Sequence, residues 1–260
     1  MPPPSSTQQK VLVAQFVNIT AASERQATKE MKPKTQQQRS ISLNDSLIPI
    51  EPGVDAKRDD KDKMELESTM TYLEKHLGVN LENAELFIAL EIVKAPNLGE
   101  ITRRGFVEGW LSQGAGFTIE GHAAHVQKLA LTLSDDDDLF RSVYRHTFVA
   151  GRESDQKALG LENAVVYWTM LFSPPGFAWK SENHDWLDLW KSFLDEKWTR
   201  SVNKDMWNMT LEFALKSTAD ESLSFWTEDG AWPSVIDDFV EWCHAKGIGK
   251  SEKMEVEHDE

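Results

Sequence analysis

From Met64 onward, apolar residues recur at helical spacing almost without a break, and no run alternates apolar with polar residues over the length of a strand. This confines the main part of the chain to an all-α class, because a repeat near 3.6 turns one stripe toward a core whereas a sheet face needs a repeat of two. Asn80 is placed to cap a helix whose interior, Leu86 to Val93, is apolar on nearly every side, and Pro96 disfavours helical geometry at the residue before it. Such a helix must be buried. Thr102 opens the next, with Phe106 and Trp110 four apart, and Asp135 to Asp138 precede another carrying Leu139, Val143 and Thr147 or Phe148. Further helices are predicted from Leu161, Trp186 and Lys204. The last opens at Pro233, whose fixed φ suits a first turn, and stacks Ile236, Phe239, Val240 and Cys243 on one side. No internal repeat of fixed period emerges, which argues against a solenoid, and the short connections predict a compact helical array.

The composition changes near residue 63. Lys32 to Lys63 is rich in Lys, Gln, Asp and Pro, lacks aromatic residues and shows no sustained period, which predicts a flexible linker. Before it, Gln9 to Met31 is expected to form two short helices, with Val13, Phe16 and Val17 on one face and Ser23 capping the second. Residues 1–31, a linker 32–63, a main domain 64–247 and an acidic tail 248–260 are therefore expected. With ten tryptophans and twelve phenylalanines, the chain has enough apolar mass to fold without staples. The lone cysteine, Cys243, excludes an intramolecular disulfide, and the N-terminal MPPPSSTQQK has no basic-then-apolar signal pattern. A reducing compartment, cytosol or nucleus, is expected. The longest predominantly apolar run, Val165 to Phe172, is far shorter than the roughly 20 residues that span a bilayer. A net charge of −15 repels nucleic-acid phosphate and anionic lipid, so no nucleic acid and no membrane are expected as partners, and basic proteins are.

Candidate chemistry is sparse. Cys243 beside His244 raises a thiol nucleophile of the kind that carries a modifier as a thioester, but its apolar helical neighbours favour an inert buried thiol. His122 and His125, three apart on a predicted helix, could share a metal, yet no HExxH motif or third ligand accompanies them, and two surface histidines are expected instead. A calcium loop opened by Asp55 would place Asp60 where a glycine is needed and Leu66 where a bidentate Glu is needed. The run Asp135 to Asp138 reads as charge at a helix N-terminus, worth roughly 0.3–1 kcal/mol. No metal and no cofactor are expected.

In the C-terminal third, the segments WLDLWKSFLDEKWTRSVNKDMWNMTLEF and EDGAWPSVIDDFVEW resemble the potentiating-neddylation domain of the defective-in-cullin-neddylation family. Two upstream blocks extend the resemblance, LGLENAVVYW from Leu159 to Trp168 and GEITRRGFVEGW from Gly99 to Trp110, and weaker similarity reaches back to about Met64. The resemblance implies an all-α array with EF-hand-like helix pairs and no active site. It implies a scaffold that promotes cullin neddylation by bridging the neddylation-specific conjugating enzyme and the cullin C-terminal region, with the RING subunit of the cullin ligase engaged indirectly. It also implies an acidic cullin-binding patch at Asp205 in NKDMW, Ala231 in GAWP and Asp237 in VID. Two carboxylates can accept charge-assisted hydrogen bonds from Lys or Arg, and a small alanine permits close approach. The loop between Asp205 and Ala231 is slightly longer than is usual in the family.

The second implied site is an apolar pocket for the acetylated N-terminus of the conjugating enzyme, lined by Met70, Leu86, Ala89, Leu90, Val93, Leu98, Ile101, Ala150, Tyr167 and Met170. Acetylation removes a terminal charge that would resist burial. Leu90 is bulkier, and Ala150 smaller, than the residues usual in the family, which predicts a reshaped pocket. The N-terminal QFVNITAASERQATKEM resembles the first two helices of a ubiquitin-binding UBA module, but KPKTQQQRS stands where a third helix belongs, which argues against ubiquitin binding. Two rival functions remain from the residues alone: a helical protein-binding module without co-ligase activity, and a thioester-forming ligase using Cys243.

Overall fold

The computed structural model describes residues 6–30, 60, 62–153 and 155–249. Among these, ten α-helices carry the fold, and the sheet content is one antiparallel ladder of two residues per strand. The helices are α1 (Ser6–Glu30), α2 (Leu66–Thr71), α3 (Glu85–Ile92), α4 (Arg103–Gln113), α5 (Ile119–Thr132), α6 (Asp137–Gly151), α7 (Leu161–Leu171), α8 (Trp186–Lys197), α9 (Lys204–Ala219) and α10 (Ser234–Ala245). Tyr72–His76 continue α2 as a π-helical turn. Strands β1 (Lys63–Met64) and β2 (Ile101–Thr102) pair Met64 with Ile101, both buried. The all-α reading therefore holds, with a ladder too short to leave an alternating pattern in the sequence. EF-hand-like pairing of the helices is not established by their contacts.

Side chains that satisfy orphan amides set several helix starts. Thr102 Oγ1 accepts from the Gly105 amide at 3.0 Å, Asp136 Oδ1 from Leu139 at 3.0 Å, and Asn203 Oδ1 from Met206 at 2.8 Å. Asn80 does not cap α3. Its Oδ1 accepts from the Glu82 amide inside the preceding turn, and Asn83 accepts from Glu85 at the helix start. Pro233 stands one residue outside α10.

Apolar on all sides, α3 is enclosed by α4, α5 and α6. Its last turn meets α4 at Gly105 and Gly109, where an added Cβ would collide with the backbone carbonyls of Val93 and Ile92. Helix α6 joins this half to the second, touching α7 and α9, while α8, α9 and α10 pack on one another. The junction is aromatic. Trp207 stacks between Tyr144 at 4.6 Å and Trp168 at 5.2 Å, and Trp168 meets Trp190 edge-on at 5.6 Å. Polar groups in this cluster satisfy one another: Tyr144 donates its hydroxyl hydrogen to the Trp207 carbonyl and accepts from Trp168 Nε1, both at 2.7 Å.

The N-terminal expectation is corrected. Ser6–Glu30 is one helix, not two, and it docks on α2 and α4. Leu12, Phe16 and Ile19 are buried, Phe16 meets Phe106 edge-on at 5.6 Å, and Gln15 Nε2 donates to the Phe117 carbonyl. The predicted linker also runs two residues too far, because Asp62 pairs with Arg103 at 2.5 Å and Lys63 belongs to β1. The rest of that segment up to Asp59, and the tail from Lys250, lie outside the described residues.

Candidate functional site

Asp205, Ala231 and Asp237 are mounted on two adjoining helices and the loop between them. Asp205 is exposed in the first turn of α9, one residue from Lys204 and two from the Asn203 cap. Asp237 is half-buried in the first turn of α10, and its Oδ1 accepts from Trp226 Nε1 at 2.9 Å. Ala231 is exposed just beyond a turn closed by the Gly230 amide donating to the Thr227 carbonyl at 2.9 Å. Phe213 and Phe239 hold α9 against α10, with ring centroids 5.5 Å apart. Both carboxylates thus sit at helix starts, where the helix dipole favours negative charge, and both helices are rigidly seated.

The expected pocket residues fall mainly in the interior. Leu86, Ala89, Leu90 and Val93 on and after α3, Ile101 in β2, Ala150 in α6 and Tyr167 in α7 are buried, whereas Met70, Leu98 and Met170 are half-buried. One grouping gathers at Tyr167, which meets Phe87 edge-on at 5.5 Å and leaves no room for a Cβ on Gly151, next to Ala150. A second gathers where the exposed Leu66 lies over Gly99, beside Leu98 and one helical turn from Met70. Burial leaves the half-buried Met70, Leu98 and Met170 as the members nearest to solvent.

Cys243 is fully buried, and desolvation pushes its thiol up to about 12. A thiol of that kind is a poor nucleophile near neutral pH. The expectation of two surface histidines is overturned at His122, which is fully buried and stacked on Trp110 at 3.9 Å. Desolvation lowers its pKa to about 4, partly offset by its bond to the Gly116 carbonyl. His125 is half-buried against Gln113. Among the described residues no group of three or more His, Cys, Asp or Glu could hold a metal, and no helix is long and apolar enough to cross a membrane.

Two residues were not anticipated from the sequence: Trp226, which reaches Asp237, and Leu66, which covers Gly99. A tryptophan inside a polar connection was the available signal for the first, since a large ring there needs a partner.

Residues 121–242 match the family model described as cullin binding, a span that holds Asp205, Ala231, Asp237, Ala150, Tyr167 and Met170. The chain is 42% identical to "Defective in cullin neddylation protein 1" of Pyricularia oryzae, over 98% of this chain and 99% of that protein. It is 34% identical to the protein of the same name in Yarrowia lipolytica, over 70% of this chain and 72% of that one. It is also 30% identical to "DCN1-like protein 3" of Homo sapiens, over 78% and 65% respectively. A relative of such identity, aligned end to end with a helical core of the expected kind, establishes that this chain belongs to the defective-in-cullin-neddylation family.

Proposed function

We propose that this chain acts in cullin neddylation as a scaffold without an active site, holding a cullin and the neddylation-specific conjugating enzyme on one rigid body. The observation that carries this reading is the placement of Asp205 and Asp237 at the starts of two packed helices, with exposed Ala231 between them in sequence, inside the segment that matches the cullin-binding family. Carboxylates so placed can accept from Lys or Arg of a basic cullin surface, and the net charge of −15 steers such a partner inward.

The conjugating enzyme's acetylated N-terminus enters at Met70, Leu98 and Met170 and reaches toward the α3 residues and Tyr167. Tethering both proteins raises their effective concentration and orients the thioester toward the acceptor lysine, so no nucleophile is required here. The RING subunit is engaged indirectly, through the cullin. Burial of Cys243 speaks against the thioester-ligase reading, and burial of Phe16 in the α1–α4 contact speaks against a free ubiquitin-binding module. Cytosol and nucleus, where cysteines stay reduced, are the proposed compartments.

Reconstituted cullin neddylation with and without the full chain tests the function. The expected result is a faster reaction that Cys243→Ala leaves unchanged. An unaltered rate would refute the scaffold, and loss of activity in a folded Cys243→Ala variant would favour the ligase.

A further inference from the structure

The loop between α9 and α10 is built to hold one side chain in place. Asp220 accepts from the amides of Ser222 and Ser224, each at 3.0 Å, and from their hydroxyls at 2.5 and 2.6 Å. Leu223 adopts φ 57°, a conformation rare for a branched residue, and is nonetheless buried, with its side chain over Gly249. The Trp226 amide donates to the Leu223 carbonyl at 3.0 Å, which aims the indole back at α10. There the ring meets His244 edge-on at 5.9 Å, and Nε1 donates to Asp237 Oδ1 at 2.9 Å. The other oxygen of Asp237, Oδ2, has no partner among the described residues.

We propose that Trp226 is a positioning residue for cullin binding: it fixes the carboxylate of Asp237 so that one oxygen is committed inward and the other is presented to the partner's cation. The inference rests on the reading of Asp205, Ala231 and Asp237 as the cullin patch. A carboxylate already held in one rotamer loses less freedom on binding than one that must be ordered by its partner. The same loop carries Ala231, so a single anchored segment sets two of the three patch residues.

A double-mutant cycle in the full chain, titrated with a cullin C-terminal fragment, tests this. Trp226→Phe keeps a ring but removes the N–H, and it is expected to weaken binding roughly three- to tenfold. That loss is expected to vanish when Asp237 is already Ala and to persist in full when Asp205 is Ala. A Trp226→Phe effect that survives unchanged in the Asp237→Ala background, or no effect at all, overturns the inference while leaving the patch intact. Unchanged binding in Asp237→Ala itself overturns the patch reading and this inference together. Should Trp226→Phe lose helicity, the indole N–H resonance of Trp226 in the unmutated chain decides. It is expected to shift on titration with the fragment, and an unmoved signal while other α9 and α10 resonances shift refutes the role.

Discussion

The phenol of Tyr144 serves α7 and α9 at once, accepting from Trp168 Nε1 and donating to the Trp207 carbonyl deep in the core. Tyr144→Phe would strand the indole N–H of Trp168 away from water. A loss of about 1–3 kcal/mol in urea unfolding is expected, because an unmet buried donor costs more than the bond contributed. Asp205 presents the opposite case: it is exposed in the first turn of a well-capped helix, and its charge supports the fold through the helix dipole, worth about 0.3–1 kcal/mol. Asp205→Lys is therefore expected to cost no more than about 2 kcal/mol of stability, through the reversed charge at the helix start, while lowering cullin-fragment affinity roughly tenfold or more. Equal affinity for the two proteins in a titration would show that Asp205 is not part of the patch.

At the scale of elements, α1 behaves as a part of the main domain. The side chain of Phe16 is fully buried against Phe106 of α4, so truncation leaves a cavity between the two helices. Phe16→Ala is expected to lower the stability of the whole domain by about 3–5 kcal/mol, seen as one cooperative transition shifted to lower denaturant. Were α1 an independent module, the main transition would not move. The second element-scale expectation concerns α3 and α7, whose residues Leu90 and Tyr167 form part of the proposed pocket. Calorimetry with an N-terminal peptide of the conjugating enzyme is expected to give at least about tenfold tighter binding for the acetylated form, since burial of a free ammonium is strongly opposed. Leu90 fills interior space beneath this site, so Leu90→Ala is expected to change that affinity. Identical binding of both peptide forms would mean that no such apolar pocket operates.

For the molecule as a whole, acid stability is tied to two histidines held neutral by burial. His122 and His146 both have values near 4 against a usual 6.5, in each case chiefly through desolvation; Glu91 partly offsets this at His146. As pH falls below about 6.5, the unfolded chain takes up protons that these folded side chains refuse until about 4. Their contribution to stability is thus complete above the unfolded value and lost as pH drops toward the folded one. Unfolding free energy is expected to fall by roughly 1–3 kcal/mol between pH 7 and 5, a window chosen to precede most carboxylate titration. His122→Phe, which keeps a ring on Trp110 but cannot protonate, is expected to flatten that slope. A slope identical to that of the unmodified chain would assign the acid sensitivity elsewhere.

What the sequence determined by itself was local. The helical period, the caps at Thr102 and Asp136, and the all-round apolar surface that buries α3 are consequences of neighbouring residues and backbone geometry. The positions of Asp205 and Asp237 in the first turns of α9 and α10 were legible for a related reason, since each helix start lies within a short segment. Tertiary structure decided which surfaces meet. Val13 and Phe16 could mark a helix face but not that it would cover α4, and His122 could not be seen as buried without Trp110 lying flat against it. The β1–β2 ladder joins Met64 to Ile101 across α2 and α3, and Trp226 finds Asp237 from the other side of a loop. Helical period is a property of a few consecutive residues, whereas partner choice follows from packing among segments distant in the chain, and only the folded arrangement sets that.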